Sequence, residues 1–555
     1  MQANLSNLAE SERLTMKTIY YNGRVYSGEF PLCQAFAVED GRFLQVGDDE
    51  PLLALRSEGD ALVDLGGRFV CAGFNDSHMH LLNYGQSLHA AQLGPHSASL
   101  SGLLSFLREY LGSHPVRDGQ WLTGRVWNHD YFSDTSRMPD RHDLDAVSAE
   151  VPILITRACG HCCVVNSLAL ALAGIGPDTP DPAGGTIGRE NGRPDGRLYE
   201  NAMDLITAVL PVPDKETIKD MLRLACRELN RYGVTNSQTD DYFVFPAIPV
   251  ETVNAAYREL EASGELSVRI YEQCFFTKPE ALQRFVGGGN VTGAGSDMFR
   301  IGPLKLVGDG SLGSRTAHLS VPYPGGEDKR GYSLFSEEQM QTLVSYAHAH
   351  GMQIAIHAIG DACLDQVLDA IELALREHPR MDHRHGVVHC QVSRPDQLER
   401  IRKLHMHVYA QSIFLDYDNH IVNRLLPEEL VGSSYNWKTL LRSGVSVSNG
   451  SDCPVEPPDV MAGIECAVTR CSLDGTGPYL PREAFTVQEA LDSFTVRSAE
   501  ASFDEHHKGR IRAGYLADFV VLGQDPFSCE PKDLHRIPIL ATYLGGDCVY
   551  RAPQT

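Results

Sequence analysis

The chain has 555 residues, 43% hydrophobic and 22% charged, with 50 Gly and 30 Pro, a composition that excludes disorder, collagen and coiled coil. Its 48 Lys and Arg stand against 72 Asp and Glu, a formal charge of −24, and no basic run could track a phosphate backbone, so nucleic acid is not an expected partner. No segment approaches the ~18 uninterrupted apolar residues of a membrane helix, and the opening MQANLSNLAESERLT lacks the basic end and apolar stretch of a signal peptide; no membrane partner and a cytoplasmic location are expected.

In chain order, residues 1–16 read as a tail. Short strands follow over 17–68: TIYYNGRVY, then AFAVED and RFLQVG around a turn at Asp40-Gly41, then ALVDL. The same texture returns over 505–555 in GYLADFVVLG and ILATYLGGDCVYR, after a helix opened by the capping box Thr486-Val487-Gln488-Glu489, so the two ends are expected to pair into one sheet domain. Between them, over 69–504, apolar runs ending in polar residues alternate with helical stretches, the pattern of βα units and a parallel sheet. The runs fall near 69–74, 233–238, 268–273, 302–307, 353–357, 386–389, 407–411 and 445–449; eight is the number that closes a (β/α)8 barrel. The long gap after the first run, with the Gly/Pro-rich GPDTPDPAGGTIGRENGRPDGR, places an insertion at about 82–215. The 14 Cys are scattered among hydrophobic segments rather than set out as a disulfide framework, and are read as reduced thiols, those at Cys159, Cys162 and Cys163 included, since no second Cys/His pair follows at zinc-finger spacing.

Chemistry concentrates at the ends of these runs. His78 and His80 in GFNDSHMH stand two apart on an extended segment, so their rings face one side and can share a metal. The look-alike pairs His405/His407 and His383/His385 stand at strand starts, the barrel bottom, where active sites do not lie. Lys305 in GPLKLVGDG, His357 in QIAIHAIGD, His389 in GVVHCQ and Asp452 in VSVSNGSD all stand at or just past strand C-termini, so these six side chains converge on one mouth.

Taken with PDRHDLDAVSAEVPILITRACGHCCVVNSLALALAGI, LKLVGDGSLGSRTA, HAIGD, SNGSDCPVEPP and AGYLADFVVLGQDP, these segments make the chain resemble the amidohydrolase superfamily, in its amidohydrolase-3 or YtcJ-like branch, which includes N-substituted formamide deformylases. The resemblance spans nearly the whole chain. It implies an α/β fold, a (β/α)8 barrel with a composite β-sandwich from both termini, and a homodimer. It also implies two divalent metal ions: His78, His80 and Asp452 on one, His357 and His389 on the other, and Lys305 bridging both as a CO2-derived carbamate, because an ammonium cannot ligate a cation. Zinc suits these donors best, with manganese, iron, cobalt and nickel compatible. Asp452 would take the proton of the attacking water and pass it to the leaving nitrogen.

Asp309, Arg315 and Asp361 either orient ligands or substrate or form a structural ion-pair network. His161 and Asn166 resemble a family segment that faces the cavity from the insertion, as substrate contacts. Trp121, Trp127, Phe276, Phe414 and Tyr417 are read as aromatic walls or plain core. The expected activity is hydrolysis of a non-peptide C–N bond, amide or N-formyl, of a small-molecule substrate; the alternatives are a cyclic-amidine deaminase, against which Lys305 argues, an ester or lactone hydrolase, and a metal-free binding or regulatory protein. One departure is Ala362-Cys363 after HAIGD, where relatives often carry Arg-Ala, which weakens any transfer of substrate preference.

Overall fold

The computed structural model describes residues 16–114, 116, 119–157, 162–182, 185–325 and 328–553. It has two compact units: Met1–Leu81, Cys226–Phe243 and Tyr257–Thr555 form one, and Leu82–Ala225 with Val244–Ala256 the other.

The larger unit is built on eight parallel strands: β1 (Phe74–Met79), β2 (Val234–Thr239), β3 (Arg269–Phe275), β4 (Phe299–Val307), β5 (Ile354–Ala358), β6 (Gly386–His389), β7 (His407–Ala410) and β8 (Val447–Asn449). Each pairs in parallel with its sequence neighbour from β1 to β8. The loop after β8 completes the circle, since Asp452 N donates to His78 O (2.8 Å) and His80 N to Cys453 O (2.8 Å). The chain is therefore an α/β protein on a (β/α)8 barrel. Strands covered on both faces carry apolar runs rather than alternation, as in Ile354, Ala355 and Ile356 or Val387 and Val388, all fully buried. Toward the strand starts the lumen is filled by a satisfied polar group: Tyr271 donates to Gln353 Oε1 (2.9 Å), and Gln353 Nε2 donates to the Tyr409 hydroxyl and to the carbonyls of Arg384 and Ala501.

The chain ends form two further sheets, the first from the N-terminal segment alone and the second from both ends. One orders Arg42–Gly47, Ala35–Glu39, Thr18–Tyr21 and Ala61–Asp64; the other orders Arg24–Val25, Phe69–Ala72, Phe519–Leu522, Ile539–Leu544 and Asp547–Arg551. Their shared core includes Tyr20, Phe36, Phe43, Phe519 and Tyr543. The Asp40-Gly41 turn has φ of 49° and 74°, the two positive values that a tight hairpin needs. The run at 69–74, read as one barrel strand, divides at Gly73: Phe69–Ala72 pairs antiparallel with Phe519–Leu522, and β1 starts only at Phe74. A Cβ on Gly73 would lie 2.3 Å from Thr235 Oγ1, so the crossing from sheet to barrel requires glycine. The capping box at Thr486 and Glu489 forms, and opens the helix Val487–Ser493.

A buried bidentate pair ties the barrel to the C-terminal sheet: Arg269 Nε and Nη2 reach Asp518 at 2.7 and 2.9 Å, with both side chains under a tenth exposed. Burial opposes ionisation of Asp518, but Arg269 outweighs it and holds the carboxyl below its ordinary range. Removing one partner strands the other charge, so Arg269→Ala is expected to destabilise the protein by ~3–5 kcal/mol in urea unfolding at pH 7. A depressed carboxyl stabilises above its unfolded value of ~3.9 and loses that contribution as pH falls through its folded value. The wild-type and variant midpoints should therefore converge in acid below pH ~4; a gap that is unchanged at pH 3 contradicts the assignment.

The second unit carries a six-stranded sheet in the order Gly185–Glu190, Arg193–Glu200, Cys162–Val165, Ile153–Arg157, Leu122–Trp127 and Ala91–Gln92. The Gly/Pro-rich stretch forms its edge hairpin around Asn191-Gly192, with φ of 50° and 78°. Among the described residues every cysteine is a free thiol, and no helix is long and apolar enough to cross a membrane.

Candidate metal centre

Barrel topology places six distant residues at strand C-termini. His78 lies in β1 and His80 one residue beyond it, Lys305 lies in β4, His357 in β5, His389 ends β6, and Asp452 follows β8. The first and last of these are fixed together through backbone. Asp76 accepts from His78 N (3.2 Å), Ser451 N (3.1 Å) and Ser451 Oγ (2.5 Å), which laces the loop after β8 to β1. Gly450 makes this approach feasible, since a Cβ there would meet His78 N at 2.5 Å and Asp76 Oδ1 at 2.7 Å. Asp452 and His389 hold φ of 58° and 71°, left-handed values rare for residues with a Cβ and found where surrounding contacts enforce them. For His389 that contact is Trp437 Nε1, donating to its carbonyl at 2.9 Å.

Three donor atoms converge. His78 Nε2 and His80 Nε2 lie 3.3 and 3.0 Å from Asp452 Oδ1, and one ligand atom from each residue falls within 4.8 Å of the others. The far nitrogens fix the tautomers. His78 Nδ1–H donates to Gln273 Oε1 (2.7 Å), whose amide is oriented by Nε2–H donating to Ser77 O (3.1 Å), and His80 Nδ1–H donates to the carbonyl of Asp240 (3.2 Å). Each ring therefore turns its Nε2 lone pair toward Asp452. Burial, with the charge of Lys305, pushes His78 down to about 4, so it is neutral at pH 7. His80 is raised: burial lowers it, but the hydrogen bond and charge of Asp452 outweigh burial. A proton on His80 satisfies one contact; only a cation satisfies two imidazole lone pairs and a carboxylate oxygen together. The donor set fits a divalent metal ion.

The remaining predicted ligands adjoin this group. The His389 ring centre is 5.7 Å from that of His78 and 4.4 Å from that of His357. His389 Nδ1–H donates to Gln411 Oε1 (2.7 Å), leaving Nε2 free to ligate. His357 Nε2–H donates to the carbonyl of Gly310 (3.2 Å), so Nδ1 is its lone-pair nitrogen. Burial and then His357 hold His389 well below the ordinary histidine range, hence neutral. Lys305 Nζ faces Asp240 Oδ2 at 3.5 Å. Such partners on the far side of ligating rings are the usual means of fixing their orientation.

The other predicted residues divide. Asp309 accepts from the backbone of His318, Ile359 and Gly360 and has Oδ1 3.3 Å from His357 Nε2, so it orients the segment that carries His357. Asp361 joins a structural ion pair with Arg394 and accepts from Ser320 N. Arg315 is exposed and among the described residues donates only to the Pro324 carbonyl, so a ligand-orienting role is not what its geometry supports. Asn166 is not placed as a substrate contact: it caps the helix Ser167–Leu172, accepting from Ala169 N and Ile153 N and donating to the carbonyls of Ser148 and Val151, which uses its whole hydrogen-bonding capacity. His161 and Cys159 lie outside the described residues. Phe414 stacks on His389 (5.6 Å, 19°) and Tyr417 is exposed, whereas Trp127 and Phe276 are buried core. Trp121 lines a cavity of about 890 Å3 within the second unit. His383, His385 and His407 are buried and hydrogen-bonded to Leu404 O, His348 Nδ1 and Ser448 Oγ. Gln273, Gln411 and Asp240 escaped the sequence reading, although each stands at or just past a strand C-terminus, the criterion that found the ligands.

A (β/α)8 barrel whose C-terminal mouth gathers a His-x-His pair, an aspartate after the last strand and two further histidines defines a barrel with a hydrolase-type metal centre. The sequence matches the amidohydrolase family over residues 61–550, and the chain belongs to that family. It is 33% identical to YtcJ of Bacillus subtilis (strain 168) over 544 residues, 96% of this chain and 99% of that protein. It is 27% identical to the N-substituted formamide deformylase of Arthrobacter pascens, over 95% of this chain and 96% of that enzyme. Among solved structures, an uncharacterized metal-dependent hydrolase from Pyrococcus furiosus superposes with a TM-score of 0.76 at 26% identity, covering 92% of this chain and 100% of that one.

Proposed function

We propose that the protein is a metal-dependent amidohydrolase that cleaves a non-peptide C–N bond, amide or N-formyl, of a small molecule. The observation that carries this is the convergence of the His78 and His80 lone pairs on Asp452 Oδ1 at the barrel mouth. Similarity to a formamide deformylase along nearly the full chain supports the bond type. In this reading His78, His80 and Asp452 would hold one divalent ion, His357 and His389 a second, and Lys305, as a carbamate, would supply oxygen donors to both, with zinc the best match to the donors. Bound metal supplies an acidified water and positive charge for the substrate carbonyl oxygen.

The chain's residues then handle protons and orientation. Asp452 is buried at the mouth with Oδ1 3.3 and 3.0 Å from the two Nε2 atoms, which makes it the carboxylate placed to accept a proton there. It takes the proton of the attacking water and delivers it to the leaving nitrogen, which departs as the neutral amine. The Gln273 amide, the Asp240 carbonyl and the Gln411 amide fix the tautomers of His78, His80 and His389 and keep their rings aimed.

The test is a panel of N-substituted formamides, other amides, aryl esters and aminated heterocycles presented to metal-stripped protein before and after zinc is restored. Amine release that requires zinc is expected. Ammonia release confined to the heterocycles would make it a deaminase, and less than about one bound equivalent with no turnover would make it a binding protein.

A further inference from the structure

Asp240 occupies a position that ligation of the ions does not explain. Its side chain is fully buried, and among the described residues neither carboxylate oxygen accepts a hydrogen bond. A buried carboxylate with no hydrogen bond is strongly unfavourable unless a nearby charge compensates it. The one cation paired with it among the described residues is Lys305 Nζ, at 3.5 Å, itself 1% exposed. The backbone of Asp240 is held on both sides: its N–H donates to Met79 O (3.0 Å), and its carbonyl accepts from His80 Nδ1 (3.2 Å). The residue is thus clamped to β1 and to one proposed ligand while its carboxylate faces another.

Carboxylation of Lys305 changes what this carboxylate meets. The Nζ–C bond forms to CO2, the ammonium gives up two protons to solvent, one C=O electron pair moves to oxygen, and Nζ keeps a single N–H. The carbamate N–C bond is conjugated and planar like a peptide bond, so the direction of that N–H fixes the plane containing both oxygens. An acceptor placed on the N–H therefore aims the oxygens. The electrostatics agree: two divalent cations against only the carbamate and Asp452 leave surplus positive charge, in which a third buried carboxylate is stabilised.

We propose that Asp240 is a positioning residue of the metal centre, whose carboxylate accepts the remaining Nζ–H of carboxylated Lys305 and so sets the plane of the bridging oxygens between the two ion sites. This rests on the reading of Lys305 as a carbamate.

The test uses the full-length protein produced with zinc and 13C-bicarbonate, reading the carbamate carbon by 13C NMR and zinc equivalents per chain. Wild type should show the carbamate resonance and two equivalents. Asp240→Ala should lose the resonance by about tenfold or more and fall to one equivalent, the scale on which such outer partners act on metal sites. Asp240→Asn, which retains an acceptor oxygen, should keep most of the resonance. Full resonance and two ions in Asp240→Ala overturn the proposal, as does a loss in Asp240→Asn equal to that in Asp240→Ala. Metal-loaded wild type without the resonance overturns the carbamate reading itself, and this proposal with it. Should Asp240→Ala fail to fold, a crystal structure of the zinc-loaded wild type decides: Asp240 within ~3.2 Å of Nζ is expected, and separation beyond ~4 Å refutes it.

Discussion

Asp452→Asn is expected to bind metal and to lose turnover by ~10³-fold or more, with folding unchanged. Asparagine keeps an oxygen where Asp452 Oδ1 meets the two Nε2 atoms, and its backbone bond to His78 O does not depend on the side chain. What it loses is the ability to accept a proton from water and return it to nitrogen, a task the neighbouring groups cannot assume. His78 and His389 are buried neutral with their lone pairs committed to ions in this reading, and Lys305 is committed to the bridge. Steady-state kinetics beside metal analysis check this. Near-normal turnover would remove Asp452 as the proton carrier, and loss of metal alone would make it only a ligand.

Gly450→Ala is expected to weaken zinc binding by about 10–100-fold and to reduce turnover with it, although residue 450 touches no substrate. The added methyl would lie 2.5 Å from His78 N and 2.7 Å from Asp76 Oδ1, both fixed, so the loop must retreat from β1. Retreat draws Asp452 away from the His-x-His pair and strains the Ser451–Asp76 contacts that close the barrel. Competition against a chelator of known zinc affinity measures the effect. Wild-type affinity in this variant would show that the seam between β1 and β8 does not set the geometry of the site.

The barrel was legible because strands buried on both faces read as uninterrupted apolar runs, and because polar residues at their ends mark the mouth. That rule brought His78, His80, Lys305, His357, His389 and Asp452 to the same end of the barrel. It failed where two buried contexts abut. From Phe69 to Phe74 the chain is apolar throughout, and only the space beside Gly73 shows that a sheet ends and the barrel begins. The residues behind the ligands were harder to see, because Gln273, Gln411 and Asp240 take meaning from contacts across strands and a lone glutamine in an apolar run does not reveal its partner. Motif similarity misplaced Asn166 for a related reason: the segment is shared with relatives, but its side chain is used up in capping a helix. The Asn191-Gly192 hairpin signal was present in the sequence and was overshadowed by the surrounding glycines and prolines.

The central claim, that the mouth of the barrel holds two ions on this ligand set, is tested most directly by a crystal structure of the zinc-loaded protein with anomalous data at the zinc edge. Two peaks are predicted, one within ~2.0–2.2 Å of His78 Nε2, His80 Nε2 and an Asp452 oxygen, the other at that distance from His357 and His389, with oxygens on Lys305 between them. A single peak, or a cation on His78 and His80 with Lys305, His357 and His389 all beyond ~3 Å of any ion, would contradict it.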